Sequence, residues 1–144
     1  ADRLAPLLKA PGVAFVNLQY TDARADLARL HDDHGVSVLH WQEAIDDYEE
    51  TAALVCALDG VISVCTALVH LTGALGRPAW VMAPHCPGWR YLIAGRNPWY
   101  PSVEVFEQPE PGDWDSVLRA VQQRLATAAS GEGFRANPER APTA

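Results

Sequence analysis

The chain's chemistry-bearing residues concentrate in the stretch Ser63-Val64-Cys65-Thr66-Ala67-Leu68-Val69-His70. Here the apolar run Val61-Ile62-Ser63-Val64 reads as a strand that passes into a helical period with no intervening linker. A strand feeding a helix this tightly aims free backbone N–H groups at whatever lies above the turn, and the helix dipole acts there like about half a positive charge. Such a turn favours an anion, most often a phosphate. Thr66 offers a hydroxyl, the amides of Thr66, Ala67 and Leu68 form the first turn, and small Ala67 lets a ligand approach closely. On spacing alone, Thr66 reads equally well as a plain helix cap. His70 follows Thr66 by four residues and falls nearly on the same face, within reach of a phosphate oxygen or a ribose hydroxyl. Between Val69 and Leu71, pattern alone favours a partly buried histidine held by packing.

Cys65 sits at the turn, where a helix N-terminus lowers a thiol pKa. No base is identifiable beside it in the sequence, and the glycine-and-arginine loop of thiol phosphatases is absent, so a small half-buried thiol is the better reading. A zinc site drawn from Cys65, His70, His85 and Cys86 lacks the close paired spacing of structural sites. No metal and no cofactor is therefore expected. In the loop after the next strand, His85, Trp89 and Arg90 can stack on a base or pair with a phosphate, while Trp89 and Trp99 read equally well as packing residues. The G-x-G-x-x-G, P-loop, G-x-S-x-G and H-E-x-x-H patterns do not occur, which argues against the commonest nicotinamide, kinase-like and hydrolase chemistries.

The elements that position these residues follow from an alternation of short apolar runs with helical periods. The chain has 144 residues, of which 49% are hydrophobic, enough for one substantial core. Strands are expected at 13–18, 36–39, 61–64, 79–82 and 103–107. Helices are expected at 22–30, capped by Thr21 or Asp22, at 48–58, at 66–75, and at 114–128 behind an Asp113 cap. The expected fold is an α/β Rossmann-like open parallel sheet of about five strands with helices on both faces. A single domain would span 1–128, and 129–144 would be a disordered tail. Ligands of such sheets bind beyond the carboxyl ends of the strands. That rim holds Gln19, His40, Cys65, Thr66 and His85.

A net charge of −7, with 11 unclustered basic residues, argues against a nucleic-acid partner, so an anionic ligand must rely on local donors. Three cysteines without framework spacing fit reduced thiols. No apolar run approaches a membrane span, and the N-terminus lacks a secretory pattern, so a cytoplasmic location is expected.

The linked segments Asp47-Tyr48-Glu49-Glu50-Thr51-Ala52-Ala53-Leu54, Ile62 to Pro78, Trp89-Arg90 and Pro98-Trp99-Tyr100-Pro101-Ser102-Val103 resemble one family. It is the C-terminal, nucleotide-sugar-binding half of heptosyltransferase-like GT-B glycosyltransferases, of the type found in bacterial tetratricopeptide-repeat proteins. The resemblance covers residues 11–128. It implies a donor site in which the first helical amides and Thr66 hold the donor diphosphate. His70 would contact the diphosphate from the same helix, and Gln19 and the His85 loop would line the nucleotide of an ADP- or UDP-linked sugar. Fixed N–H dipoles would then stabilise the charge growing on the leaving diphosphate. The partners implied are an N-terminal half carrying the catalytic base, and a repeat domain, so this segment by itself would bind donor without turnover. The family usually carries aspartate where this chain has Cys65. The alternative is accordingly a non-catalytic interaction module with a degenerate glycosyltransferase fold.

Overall fold

The structure, a computed structural model, describes residues 2–91 and 97–134. The chain forms two compact units, Ala1–Leu54 and Val55–Ala144.

The first unit is built from short helices: α1 (Ala5–Leu8), α2 (Arg24–His34), α3 (Gln42–Asp46) and the start of α4 (Tyr48–Ala57). A small core of Ala5, Leu30 and Val36, flanked by Leu8 and Val38, holds α1 and α2 to the segment that follows them. Gly35 ends α2 at φ 64°, a left-handed conformation that favours glycine. From there its N–H reaches the His31 carbonyl at 2.9 Å, and the Val36 N–H reaches that of Leu30 at 3.0 Å. Between α3 and α4, the Asp47 carboxylate accepts the N–H groups of Glu49 and Glu50, and the Thr51 hydroxyl donates to the Ala44 carbonyl at 2.7 Å.

The two strands expected in this unit do not form. Segments 13–18 and 36–39 meet at one isolated parallel bridge, Val16 with Leu39. Its two hydrogen bonds run from the Asn17 N–H to the Leu39 carbonyl, 2.8 Å, and from the Leu39 N–H to the Phe15 carbonyl, 2.9 Å. The ladder stops there because the Asn17 side chain turns the chain, accepting the Gln19 N–H at 3.2 Å while its amide nitrogen lies 3.1 Å from His40 Nδ1.

The second unit contains a three-stranded parallel sheet in the order β1 (Val61–Val64), β2 (Ala79–Ala83), β3 (Val103–Glu107). The protein is thus α/β with a small parallel sheet, and the five-strand expectation is corrected to three strands among the described residues. Val61 pairs with Ala79, and Ala79 in turn with Val103. All five residues of β2 are buried, as a central parallel strand requires, which explains the unbroken apolar run Ala-Trp-Val-Met-Ala. Helix α5 (Ala67–Ala74) packs on β1 and β2, and α6 (Trp114–Thr127) on β2 and β3. Helix α6 starts where Asp113 accepts the Ser116 N–H, and it buries the stripe Val117, Val121 and Leu125. Trp80 is fully buried, edge-on to Phe106 and stacked on Phe134 with ring centroids 3.8 Å apart. Residues 135–144 of the expected tail lie outside the described residues.

Candidate functional site

Three parallel strands end on one edge, and the turn from β1 into α5 lies there. Thr66 is the N-cap of α5, with extended backbone (φ −134°, ψ 172°), yet its side chain does not cap the helix. Its hydroxyl instead shares a 3.1 Å hydrogen bond with that of Ser63, three residues back on β1. The Val69 N–H closes a tight turn onto the Thr66 carbonyl at 3.2 Å. That leaves the N–H groups of Ala67 and Leu68 without an acceptor among the described residues, facing the edge where the helix dipole is positive.

One turn along, His70 lies in an aromatic cluster rather than in an aliphatic core. Its ring centroid is 5.4 Å from that of Tyr91 and 5.8 Å from that of Tyr100. Tyr100 can lie against α5 because residue 73 is glycine: a Cβ there would sit 2.4 Å from the Tyr100 ring. Buried Asn97 sets the backbone of this cluster. Its side-chain oxygen accepts the N–H groups of Trp99 and Tyr100, at 3.1 and 2.9 Å, while its amide donates to the Tyr91 carbonyl at 3.2 Å. Trp89 and Trp99 meet edge to face at 5.8 Å, and the Arg90 guanidinium lies 5.1 Å from the Trp89 ring. His70, Trp89, Arg90, Trp99 and Tyr100 together line an open pocket of about 290 Å³.

Burial pushes the Cys65 thiol above its ordinary range, the opposite of what a nucleophile needs. Burial, and secondarily the charge of Cys65, also raises the Tyr91 phenol, with Arg90 acting against them. Both groups are neutral at pH 7.

The structure therefore brings His70 together with Trp89 and Arg90 and leaves the Ala67 and Leu68 amides without an acceptor among the described residues. His85 stands at the end of β2, with its N–H donated to the Gln108 side chain at 3.2 Å, and it does not line this pocket. Gln19 belongs to the first unit, where its amide donates to Thr21 at 2.7 Å. Tyr91, Asn97 and Tyr100 were not legible as site residues. The only available signal was the aromatic density around Asn97-Pro98-Trp99-Tyr100, which reads equally well as a turn.

Comparison with known proteins shows that the chain is similar to Protein FlbA of Caulobacter vibrioides, 38% identical over 124 residues. The alignment covers 83% of this chain and 20% of FlbA, so the chain spans about one fifth of the length of that relative. No protein-family model matches, and no solved structure matches. The resemblance to the donor half of a heptosyltransferase-like GT-B glycosyltransferase is corrected by this finding. The similarity found runs to FlbA, and the sheet has three strands among the described residues where a five-stranded one was expected.

Proposed function

We propose that the second unit binds a nucleotide or a related organic diphosphate on the carboxyl edge of its sheet. The diphosphate sits on the Ala67 and Leu68 amides, with His70 and Arg90 beside it. The base stacks on the exposed rings of Trp89 or Trp99. The observation that carries this reading is the open first turn of α5 next to the pocket of His70, Trp89, Arg90, Trp99 and Tyr100. Uncapped helical amides offer charge-assisted donors, and the aromatic wall offers stacking area to a planar ring. A pocket of about 290 Å³ lies at the small end of the range for ligand sites, which suits one ring system with the phosphates laid outside it. In a chain of net charge −7, these local donors are what favour an anion. The protein's role is then recognition of a phosphorylated ligand, and no group in the pocket is assigned as a base or nucleophile.

Calorimetric titration with ADP, UDP and GDP tests this. Ala67→Pro is the most informative variant, because proline is well tolerated at the first helical position and Thr66 already holds the extended backbone that a following proline requires. It removes one N–H and little else, and a lost hydrogen bond to a charged group weakens binding about 10-fold or more. Trp89→Ala weakens binding by a similar factor through lost stacking. Thr66→Val has a small effect, since the hydroxyl is already engaged by Ser63. Absence of binding by all three nucleotides at millimolar concentration overturns the reading. The exposure of Trp89 and Trp99, 58% and 54%, favours the second reading in that event: a docking surface for another protein segment.

A further inference from the structure

The parallel register sets Glu107, the last residue of β3, opposite Ala83, the last residue of β2. Two and three residues beyond Ala83 the chain presents His85 and Cys86. The ligand-forming atoms of His85, Cys86 and Glu107 all lie within 4.8 Å of one another, on three exposed side chains. Neighbouring groups hold each of them in place. Gln108 is buried, and its side-chain oxygen accepts both the His85 N–H, at 3.2 Å, and the Gly112 N–H, at 3.1 Å. The His85 ring nitrogen Nδ1 lies 3.1 Å from the Gln108 backbone carbonyl. A carbonyl only accepts, so Nδ1 carries the proton and Nε2 of the neutral ring keeps its lone pair. A hydrogen bond of this kind, from one ring nitrogen to a backbone carbonyl, orients metal-binding histidines. Glu107 Oε1 accepts the Cys86 N–H at 2.9 Å, which pins the carboxylate beside the thiol and leaves Oε2 available.

We propose that His85, Cys86 and Glu107 form a binding site for a zinc-class divalent cation, with a fourth position open to water or to a ligand. The donor set of one imidazole nitrogen, one thiolate and one carboxylate selects a borderline or soft d-block ion over magnesium or calcium. In a tetrahedral shell with bonds of about 2.0–2.3 Å, neighbouring donor atoms stand about 3.3–3.8 Å apart. Drawing the three groups in from the observed spacing takes about 1 Å, within the freedom of exposed side chains. Thiolate and carboxylate together balance the dication, and the thiol proton is released to solvent on binding. The site does not depend on the nucleotide reading. It uses no residue of that pocket.

Cobalt is the test probe, because a cobalt–thiolate bond in a tetrahedral site gives a charge-transfer band and intense visible absorption. The full chain, stripped with chelator and kept reduced, is titrated with Co²⁺. Expected are saturation at one metal per chain, displacement by Zn²⁺, and no displacement by excess Mg²⁺. Cys86→Ser abolishes the charge-transfer band, His85→Ala and Glu107→Gln each weaken binding 10-fold or more, and Cys56→Ser leaves the titration unchanged. Circular dichroism confirms that these surface variants fold. The proposal is overturned by absence of saturable cobalt binding, by a thiolate band that survives Cys86→Ser, or by saturation at one metal per two chains. Nucleotide binding by Cys86→Ser is measured alongside, so that failure of one site is not taken for failure of the other.

Discussion

Cys86 holds φ at 54°, a left-handed conformation that costs a side chain bearing a Cβ about 1–2 kcal/mol. Glycine is free of that penalty but loses more chain entropy on folding, roughly 0.5–1 kcal/mol. Cys86→Gly is therefore expected to be neutral to stabilising, by at most about 1 kcal/mol in urea unfolding, while cobalt binding is lost. A variant that gains or keeps stability as it loses the metal separates a functional cysteine from a structural one. Gly73 shows the reverse dependence. Gly73→Ala drives a Cβ into the Tyr100 ring, so it should destabilise by about 1–3 kcal/mol and weaken nucleotide binding, because Tyr100 leaves the pocket wall. Equal nucleotide affinity in Gly73→Ala and wild type would remove Tyr100 from the site. Thr66 was legible as the residue at the turn. That its hydroxyl turns back to Ser63 was not, because a cap and a backward hydrogen bond share the same residue type and spacing.

At the level of elements, legibility followed burial. Strands β2 and β3 and helix α6 stand close to where the periodicity puts them, since each commits a continuous run or stripe of apolar residues to one core. Segments 13–18 and 36–39 carry the same β-branched composition, but Asn17 and Gly35 hold their ends in turns, and one bridge is all that forms. Helix α3 leaves little trace in the sequence because Gln42–Asp46 lies in an acidic stretch with one buried residue, Ile45. Of the metal cluster, His85 and Cys86 were legible as candidate ligands and Glu107 was not. Glu107 is 21 residues from Cys86 in sequence, and only the β2–β3 register brings the two together. Helix α6 gives the sharpest stability test. Leu125 is 3% exposed at the end of its buried stripe, so Leu125→Ala should cost about 2–5 kcal/mol in chemical denaturation. A cost below about 1 kcal/mol would mean that α6 is not anchored to the sheet as described.

Across the whole chain, acid is the condition that both units feel, because depressed carboxyls occur in each. Asp22 is lowered to about 2, first by the hydrogen bond from the Arg24 side chain and then by that from the Arg24 backbone. Asp2 is lowered chiefly by its hydrogen bond with His34, and Asp113 by Ser116 at the start of α6. A carboxyl whose folded pKa lies below its unfolded value, about 3.9 for aspartate, stabilises the fold fully above that value. The contribution fades as pH falls through the folded pKa. For Asp22 the window runs from about 4 down to about 2, and all three groups act in the same direction. Thermal unfolding should therefore show a midpoint that is flat above pH 5 with respect to these groups and drops between pH 4 and pH 2. Added salt reduces the part that comes from the exposed Asp22–Arg24 pair. Asp113→Asn should flatten the acid limb relative to wild type, because asparagine still caps α6 but does not titrate. General charge repulsion in acid affects wild type and variant alike, so the difference between their two curves isolates the carboxyl. If the two curves run parallel from pH 5 to pH 2, Asp113 does not link α6 to pH.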